Sequence, residues 1–223
     1  AYAKYGRDEE IVITRSNKRA NRYNEGIRRH VLSAEEEIES GDMLMVVKNN
    51  YYYTERTEGC PMHFVANGDI ARLKRLRRFE DFYGFRFATA VLEFPDYDDT
   101  QLECKILLDT IASESPSLTR EEQNRLFYEV EKDYLDVKSK LKRFKEIREN
   151  PHFNAMQVKF SYAVTCHKAQ GGQWRAVFID RFLFGDEPLN TDLMRWLYTA
   201  LTRATDKLYL VNFDERFFGG ELK

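Results

Sequence analysis

The chain is poor in residues that staple or coordinate: it has 3 cysteines and 4 histidines in 223 residues. Cys60, Cys104 and Cys166 stand far apart and are odd in number, which argues against a disulfide framework and for a reducing, cytoplasmic setting. Cys166 and His167 are neighbours whose side chains diverge. No second Cys/His cluster has ligand spacing, so no metal site is expected. The G-x-x-x-x-G-K-[ST] order of a phosphate loop is missing. Paired carboxylates at metal-site spacing are missing too, which disfavours a nuclease. No apolar run approaches the ~20 residues that span a bilayer, and no signal peptide opens the sequence, so no membrane partner is expected. With 35 basic and 37 acidic residues, the net charge is −2, and any surface for nucleic acid has to be local.

What is present is an ordinary globular composition, 43% hydrophobic and 32% charged, with length enough to bury a core. "EIVIT" (residues 10–14) is short, apolar and β-branched, and reads as a buried strand. Such an abrupt start is expected of a piece of a longer protein. Ser16 or Asn17 is placed to cap a following helix, with Ala20, Tyr23, Ile27 and Val31 on one face. Residues 43–106 read as short strands with tight turns, and Asn67-Gly68-Asp69 is the strongest hairpin signal. A capping box at Thr119 and Glu122 opens a helical stretch. Val130, Tyr134, Val137, Leu141 and Phe144 recur there at alternating spacings of four and three, predicting one long helix or a helical pair. "VKFSYAV" and "AVFID" are further strands, and a last helix capped near Asn190 or Thr191 leads to a strand over residues 208–213. The expected fold is α/β with a parallel sheet, interrupted by a β module and a helical segment.

Four stretches carry candidate chemistry. "VTCHKAQGGQW" (residues 164–174) ends a strand with Gly171 and Gly172, which free the backbone to turn and let a ligand approach. Ligands gather beyond the carboxyl ends of parallel strands, so Thr165, His167, Lys168 and Gln170 would project donors there. The alternative is a polar turn after a core strand. In "WLYTALTRAT", Arg203 falls off the apolar helical face of Leu193, Leu197, Ala200, Leu201 and Ala204. It reads either as a stiffly placed guanidinium for a transferring phosphoryl group or as a solvated surface residue. Arg15, Lys18, Arg19, Arg22 and Arg28 crowd a helix start, where phosphate binds, or form an ordinary charged face. "RLKRLRR" (residues 72–78) could track a nucleic-acid backbone, with "NNYYYT" supplying stacking faces, or could protect an edge strand.

Taken together, "YAVTCHKAQGGQW", "LYTALTRAT", "VITRSNKRANRYNEGIR" and the pair "GDMLMVVKNNY" and "ANGDIARL" resemble, in order, motifs of the C-terminal half of superfamily 1 DNA helicases, closest to the RecD-like (exonuclease V alpha-chain) group. The resemblance implies a second RecA-like domain over residues 1–42 and 151–223, an SH3-like β-barrel insertion over residues 43–106 and a helical segment, residues 107–150, that it does not account for. It implies ATP with Mg, bound at a composite cleft with the N-terminal RecA-like domain of the same protein. The fragment alone would be inactive. Implied partners are single-stranded DNA and exonuclease-complex subunits, in DNA repair and recombination. Arg203 resembles the arginine finger. Arg19, Arg22, Gly171 and Gln173 resemble nucleotide contacts, although many relatives carry Glu where Gln173 stands. Thr165, His167, Lys168, Gln170, Asn49 and Asn67 resemble DNA contacts. The alternative from a different class is a non-catalytic nucleic-acid-binding module in which the β insertion does the binding.

Overall fold

The computed structural model describes residues 2–181, 190–214 and 217. In chain order the elements are α1 (Tyr2–Tyr5), β1 (Glu10–Thr14), α2 (Asn17–Gly26), β2 (Met43–Val46), β3 (Ile70–Phe82), β4 (Phe85–Phe94) and β5 (Thr100–Leu107). There follow α3 (Asp109–Ala112), α4 (Arg120–Glu131), α5 (Lys140–Arg148), β6 (Met156–Phe160), β7 (Ala163–Thr165), β8 (Trp174–Asp180), α6 (Thr191–Leu201) and β9 (Ala204–Val211). The chain divides into two compact units, Ala1–Ser33 with Ser161–Lys223, and Ala34–Phe160. The interrupted α/β architecture is present: one parallel sheet and one closed five-strand barrel. No helix among the described residues is long and apolar enough to cross a membrane.

The first unit is a four-stranded sheet in the order β7-β1-β8-β9, parallel throughout. β1 is buried along its whole length, as its apolar centre Ile11-Val12-Ile13 requires of a central parallel strand. β9 lies at the edge and is exposed over most of its length. Ser16 caps α2 by accepting from the Arg19 N–H, and the helix continues as a π-helical turn over Ile27–Val31. Asn24 is buried on α2 and serves the open side of β7. Its amide donates to the Ala163 carbonyl at 2.9 Å, and its oxygen accepts the Ala163 N–H at 2.7 Å. A side chain thus replaces the strand that would otherwise satisfy that backbone.

The second unit closes β2-β3-β4-β5-β6 into a barrel, antiparallel except for the β5–β6 seam. Its core is Leu44, Val46, Leu73, Leu92, Leu102, Ile106, Met156 and Val158, all at 0% exposure. Each such side chain contributes about 1.5–3 kcal/mol on burial. A second cluster joins Phe85, Phe87 and Leu107 of the barrel to Leu126, Val130 and Ile147 of α4 and α5.

Several expectations are corrected. "VKFSYAV" is two strands, because Val158 pairs with Val46 of the barrel whereas Ala163 pairs with Val12 of the parallel sheet. The helical segment is a pair, and the four-three seam does not cross it. A 3₁₀ turn over Lys132–Tyr134 and non-helical residues before the Ser139 cap reset the phase. Leu141 is therefore 84% exposed, and Ile147 is buried instead. The tight turn at Ala66–Asp69 forms, but on its strand-ward side only the single bridge Asn50–Val65 precedes it. The long hairpin is β3–β4, whose turn residues Tyr83 and Gly84 both have positive φ, 54° and 71°, as a type I′ turn demands. The basic run on β3 is largely offset. Arg72 and Lys74 pair with Glu93, Arg77 with Glu103 and Arg78 with Glu80.

Candidate functional site

Strand polarity sorts the candidate residues. In a parallel sheet all carboxyl ends share one edge. Thr165 ends β7 there, level with Thr14. β8 begins at Trp174, two residues before Ala176, which is level with Glu10. The segment from Cys166 to Gln173 therefore returns from the carboxyl-end edge to the amino-end edge. It starts as a compact turn: the Thr165 carbonyl accepts from the Lys168 and Ala169 N–H groups at 2.9 and 3.1 Å. Cys166 and Ala169 are buried, whereas His167 and Gln170 are exposed. Burial raises the Cys166 thiol pKa, opposed by the positive charge of Arg203, and burial lowers that of the Lys168 ammonium.

Both glycines are needed for the second half of the turn. Gly171 has φ +88°, in the region where a side chain is strained. At Gly172 the indole of Trp174 fills the space a Cβ would occupy, with Cη2 only 2.3 Å from that position. Gln173 is exposed beside them.

Arg203 meets this turn, though not from a helix. α6 ends at Leu201, where the backbone N–H and the hydroxyl of Thr202 both donate to the Tyr198 carbonyl. Arg203 then sits in the turn before β9, and its carbonyl accepts the Trp174 N–H at 2.9 Å. Its guanidinium is half-buried and held on three sides. Nε donates to the Thr199 carbonyl at 3.0 Å, Nη1 to the Gly172 carbonyl at 3.1 Å and Nη2 to the Thr202 hydroxyl at 3.0 Å. Five N–H donors less these three leave two for a ligand. Arg203, Gly171 and Gln173 thus share the amino-end edge of β8 and β9, and Thr165 stands at the opposite edge. The carboxyl-end placement expected for Thr165, His167, Lys168 and Gln170 thus does not extend to Gly171 and Gln173.

Arg19 is placed elsewhere. Its Nε donates to buried Asp180 at 2.6 Å, and the guanidinium lies over the Tyr23 ring. The bond to Asp180 raises the Arg19 pKa further. Asp180 ends β8, roughly 20 Å along the strand from Trp174. One phosphate cannot be met by both Arg19 and Arg203. Arg22 is exposed on α2. The Asp180 partnership joins residues 161 apart in sequence, and its one local signal is a carboxylate at the end of the apolar run "AVFID". Among the described residues no group of three or more His, Cys, Asp or Glu could hold a metal ion.

In the barrel unit, Asn49 and Asn67 come together, the Asn67 N–H donating to the Asn49 Oδ1 at 2.8 Å. Asn49, but not Asn67, lines a groove of about 540 Å³ between residues 48–56 and the helical pair, lined also by Gln123, Arg148, Glu149 and Asn154. Sequence reasoning left Lys48, Gln123 and Arg148 out of the candidate set.

Residues 160–211 match the family described as UvrD-like helicase C-terminal domain. Over 52 residues the chain is 33% identical to the uncharacterized protein R530 of Acanthamoeba polyphaga mimivirus, covering 23% of this chain and 10% of that protein. Among solved structures, a Pif1 helicase from Candida albicans is similar at 12% identity and TM-score 0.45, over 93% of this chain and 46% of its own. A Pif1 helicase from Bacteroides, in complex with ADP-AlF3 and single-stranded DNA, is similar at 10% identity and TM-score 0.49, over 95% of this chain and 44% of its own. The chain spans less than half the length of these structures. The stretch that holds the turn, α6 and Arg203 is thus similar to the C-terminal domain of UvrD-like helicases.

Proposed function

We propose that the chain is the C-terminal motor lobe of an ATP-dependent helicase of superfamily 1, RecD-like in subtype, that moves on single-stranded DNA. The observation that carries this reading is Arg203, oriented by three acceptors beside Gly171–Gln173, within the helicase-like stretch. A guanidinium fixed before the ligand arrives offsets charge on a γ-phosphate without reorganising. Gly171, with no atom within 4 Å of where a Cβ would stand, leaves the backbone open to a ligand, and the Gln173 amide can hydrogen-bond a ribose hydroxyl. Bound ATP with Mg supplies the phosphoanhydride to be cleaved. The N-terminal RecA-like domain holds its metal and phosphates, and Arg203 completes the cleft. Exposed Arg22 is the second nucleotide contact, and Arg19 serves as a strut against Asp180.

At the other edge, the Thr165 hydroxyl, His167, Lys168 and Gln170 face the DNA backbone. The segment between joins the two edges directly, so a shift at the DNA end is passed to Gly172 and, through its carbonyl, to Arg203. Exonuclease-complex subunits are the further partners of this reading. The test is ATP turnover by the complete protein with and without single-stranded DNA, and unwinding of 5′-tailed against 3′-tailed duplexes. Turnover stimulated by DNA supports the motor; a protein that binds DNA with no stimulated turnover refutes it.

A further inference from the structure

We infer that the barrel unit carries a nucleotide-binding groove of its own, walled by residues 48–56 and by the α4–α5 pair, that seats one aromatic base with its phosphate. This goes beyond the motor reading, because every lining residue lies within Ala34–Phe160 and binding there needs no ATP cleft.

Volume, charge and donors point the same way. A groove of about 540 Å³ is in the size range of small-ligand sites. Its two carboxylates, Glu55 and Glu149, both face Arg56, which pairs with Glu149, comes within 4.0 Å of Glu55 and lies 3.8 Å over the Tyr52 ring. Lys48 and Arg148 remain as cations, so the groove is left with positive charge. The Lys48 ammonium spends one donor on the Gln123 Oε1 at 2.7 Å. Although that residue is exposed overall, atoms crowding its ammonium lower its pKa, and an anion beside it would offset this desolvation. Arg148 is exposed, and no carboxylate among the described residues pairs with it.

The amides are also turned toward donation. Asn49 uses its oxygen on the Asn67 N–H, and Gln123 uses its oxygen on Lys48, so each presents an NH2 group. Tyr51 is 51% exposed and stacks one face on Phe64 with centroids 4.9 Å apart. Its other face is left for a base, as in single-strand binding sites. Two cations, two amide donors and an aromatic face form a set that recognises a phosphate joined to a base. A nucleotide within a DNA strand and a free mononucleotide share this chemistry.

The experiment titrates the ¹⁵N-labelled 223-residue chain with 5′-phosphorylated dT4 and, separately, with dTMP, following amide and side-chain NH2 resonances. Saturable shifts are expected at Asn49, Tyr51, Gln123 and Arg148. Binding tighter for dT4 by more than about tenfold assigns the groove to a strand; equal binding assigns it to free nucleotide. The exposed-residue double variant Lys48→Gln/Arg148→Gln should weaken binding about tenfold and reduce the salt slope by about two. His167→Ala should leave the groove shifts unchanged. The inference is overturned if both probes leave these resonances unmoved, if shifts are confined to residues 161–211, or if the folded double variant binds as wild type does. A silent groove in a protein that turns over ATP would sink this inference and leave the motor reading standing.

Discussion

Substituting the two adjacent glycines should damage the turn by different mechanisms, and a double-mutant cycle can separate them. In Gly172→Ala the new Cβ would stand 2.3, 2.9 and 3.0 Å from Cη2, Cζ3 and Cζ2 of Trp174. An indole is rigid, so the whole ring must swing, at an overpacking cost of about 1–3 kcal/mol. The swing also disturbs the Gly172 carbonyl bond to Arg203 and the Trp174 N–H bond to the Arg203 carbonyl. Each is a hydrogen bond contributing about 1 kcal/mol. The sum is a loss of about 3–5 kcal/mol. At Gly171 no atom lies within 4 Å of an added Cβ, so Gly171→Ala suffers only from φ +88°. That backbone strain is about 1–2 kcal/mol. In a Trp174→Ala background the obstacle to Gly172→Ala is gone, and its cost should fall below about 1 kcal/mol. Gly171→Ala should cost the same in both backgrounds, within about 0.5 kcal/mol. Urea unfolding followed by far-ultraviolet circular dichroism measures wild type and all five variants. Equal costs for Gly172→Ala with and without Trp174 would refute the packing argument.

Ile147→Ala should destabilise the barrel unit by about 2–4 kcal/mol, since a fully buried side chain between the helical pair and the barrel is lost; a urea midpoint unchanged from wild type would contradict it. Acid should weaken the same unit in two steps. Glu80 accepts from Lys105 and His152, which holds its carboxyl below the ordinary 4.5. His152, stacked on Phe82 and flanked by Tyr83, Lys105 and Asp133, is pushed below 6.5, chiefly by burial. Both groups bind protons more weakly folded than unfolded, so their stabilisation is complete above the ordinary values and lost as pH falls through the folded ones. Urea midpoints should be level near pH 8, decline below 6.5 and decline again below 4.5; His152→Phe should remove the first decline, and an unchanged profile in that variant counts against it. Arg203→Lys should keep one of the three anchoring bonds and recover part of the stability lost in Arg203→Ala, read as thermal midpoints; identical midpoints would show that the anchoring bonds carry no weight.

Local signals in the sequence translated well where local chemistry decides the outcome. β1 follows from the apolar, β-branched run Ile11-Val12-Ile13, α2 from the Ser16 hydroxyl, and α4 from the Thr119–Glu122 capping box, each found as the residues suggest. The failures are non-local. Residues 156–165 look like one strand because every position suits a strand, yet the choice of partner changes between Phe160 and Ala163. The apolar seam from Val130 to Phe144 looks continuous because periodicity ignores a few non-helical residues that shift the phase. In the candidate site, the turn glycines and Arg203 were legible as chemistry, but their meeting across 31 residues was not. Neither was the sheet polarity that puts Thr165 and Arg203 at opposite edges. The bond from Arg19 to Asp180 was not legible either, because nothing near Arg19 in sequence announces that carboxylate. The groove beside Lys48 depends on Gln123, 75 residues away, and a helical segment with no motif gives no warning of that contact.

The central claim, that Arg203 completes a nucleotide cleft, is tested most directly by DNA-stimulated ATP turnover of the complete protein with Arg203→Ala against wild type. The account predicts a fall in kcat of about 10³-fold or more, with oligonucleotide binding within about twofold of wild type. Turnover in the folded variant within about threefold of wild type would contradict it.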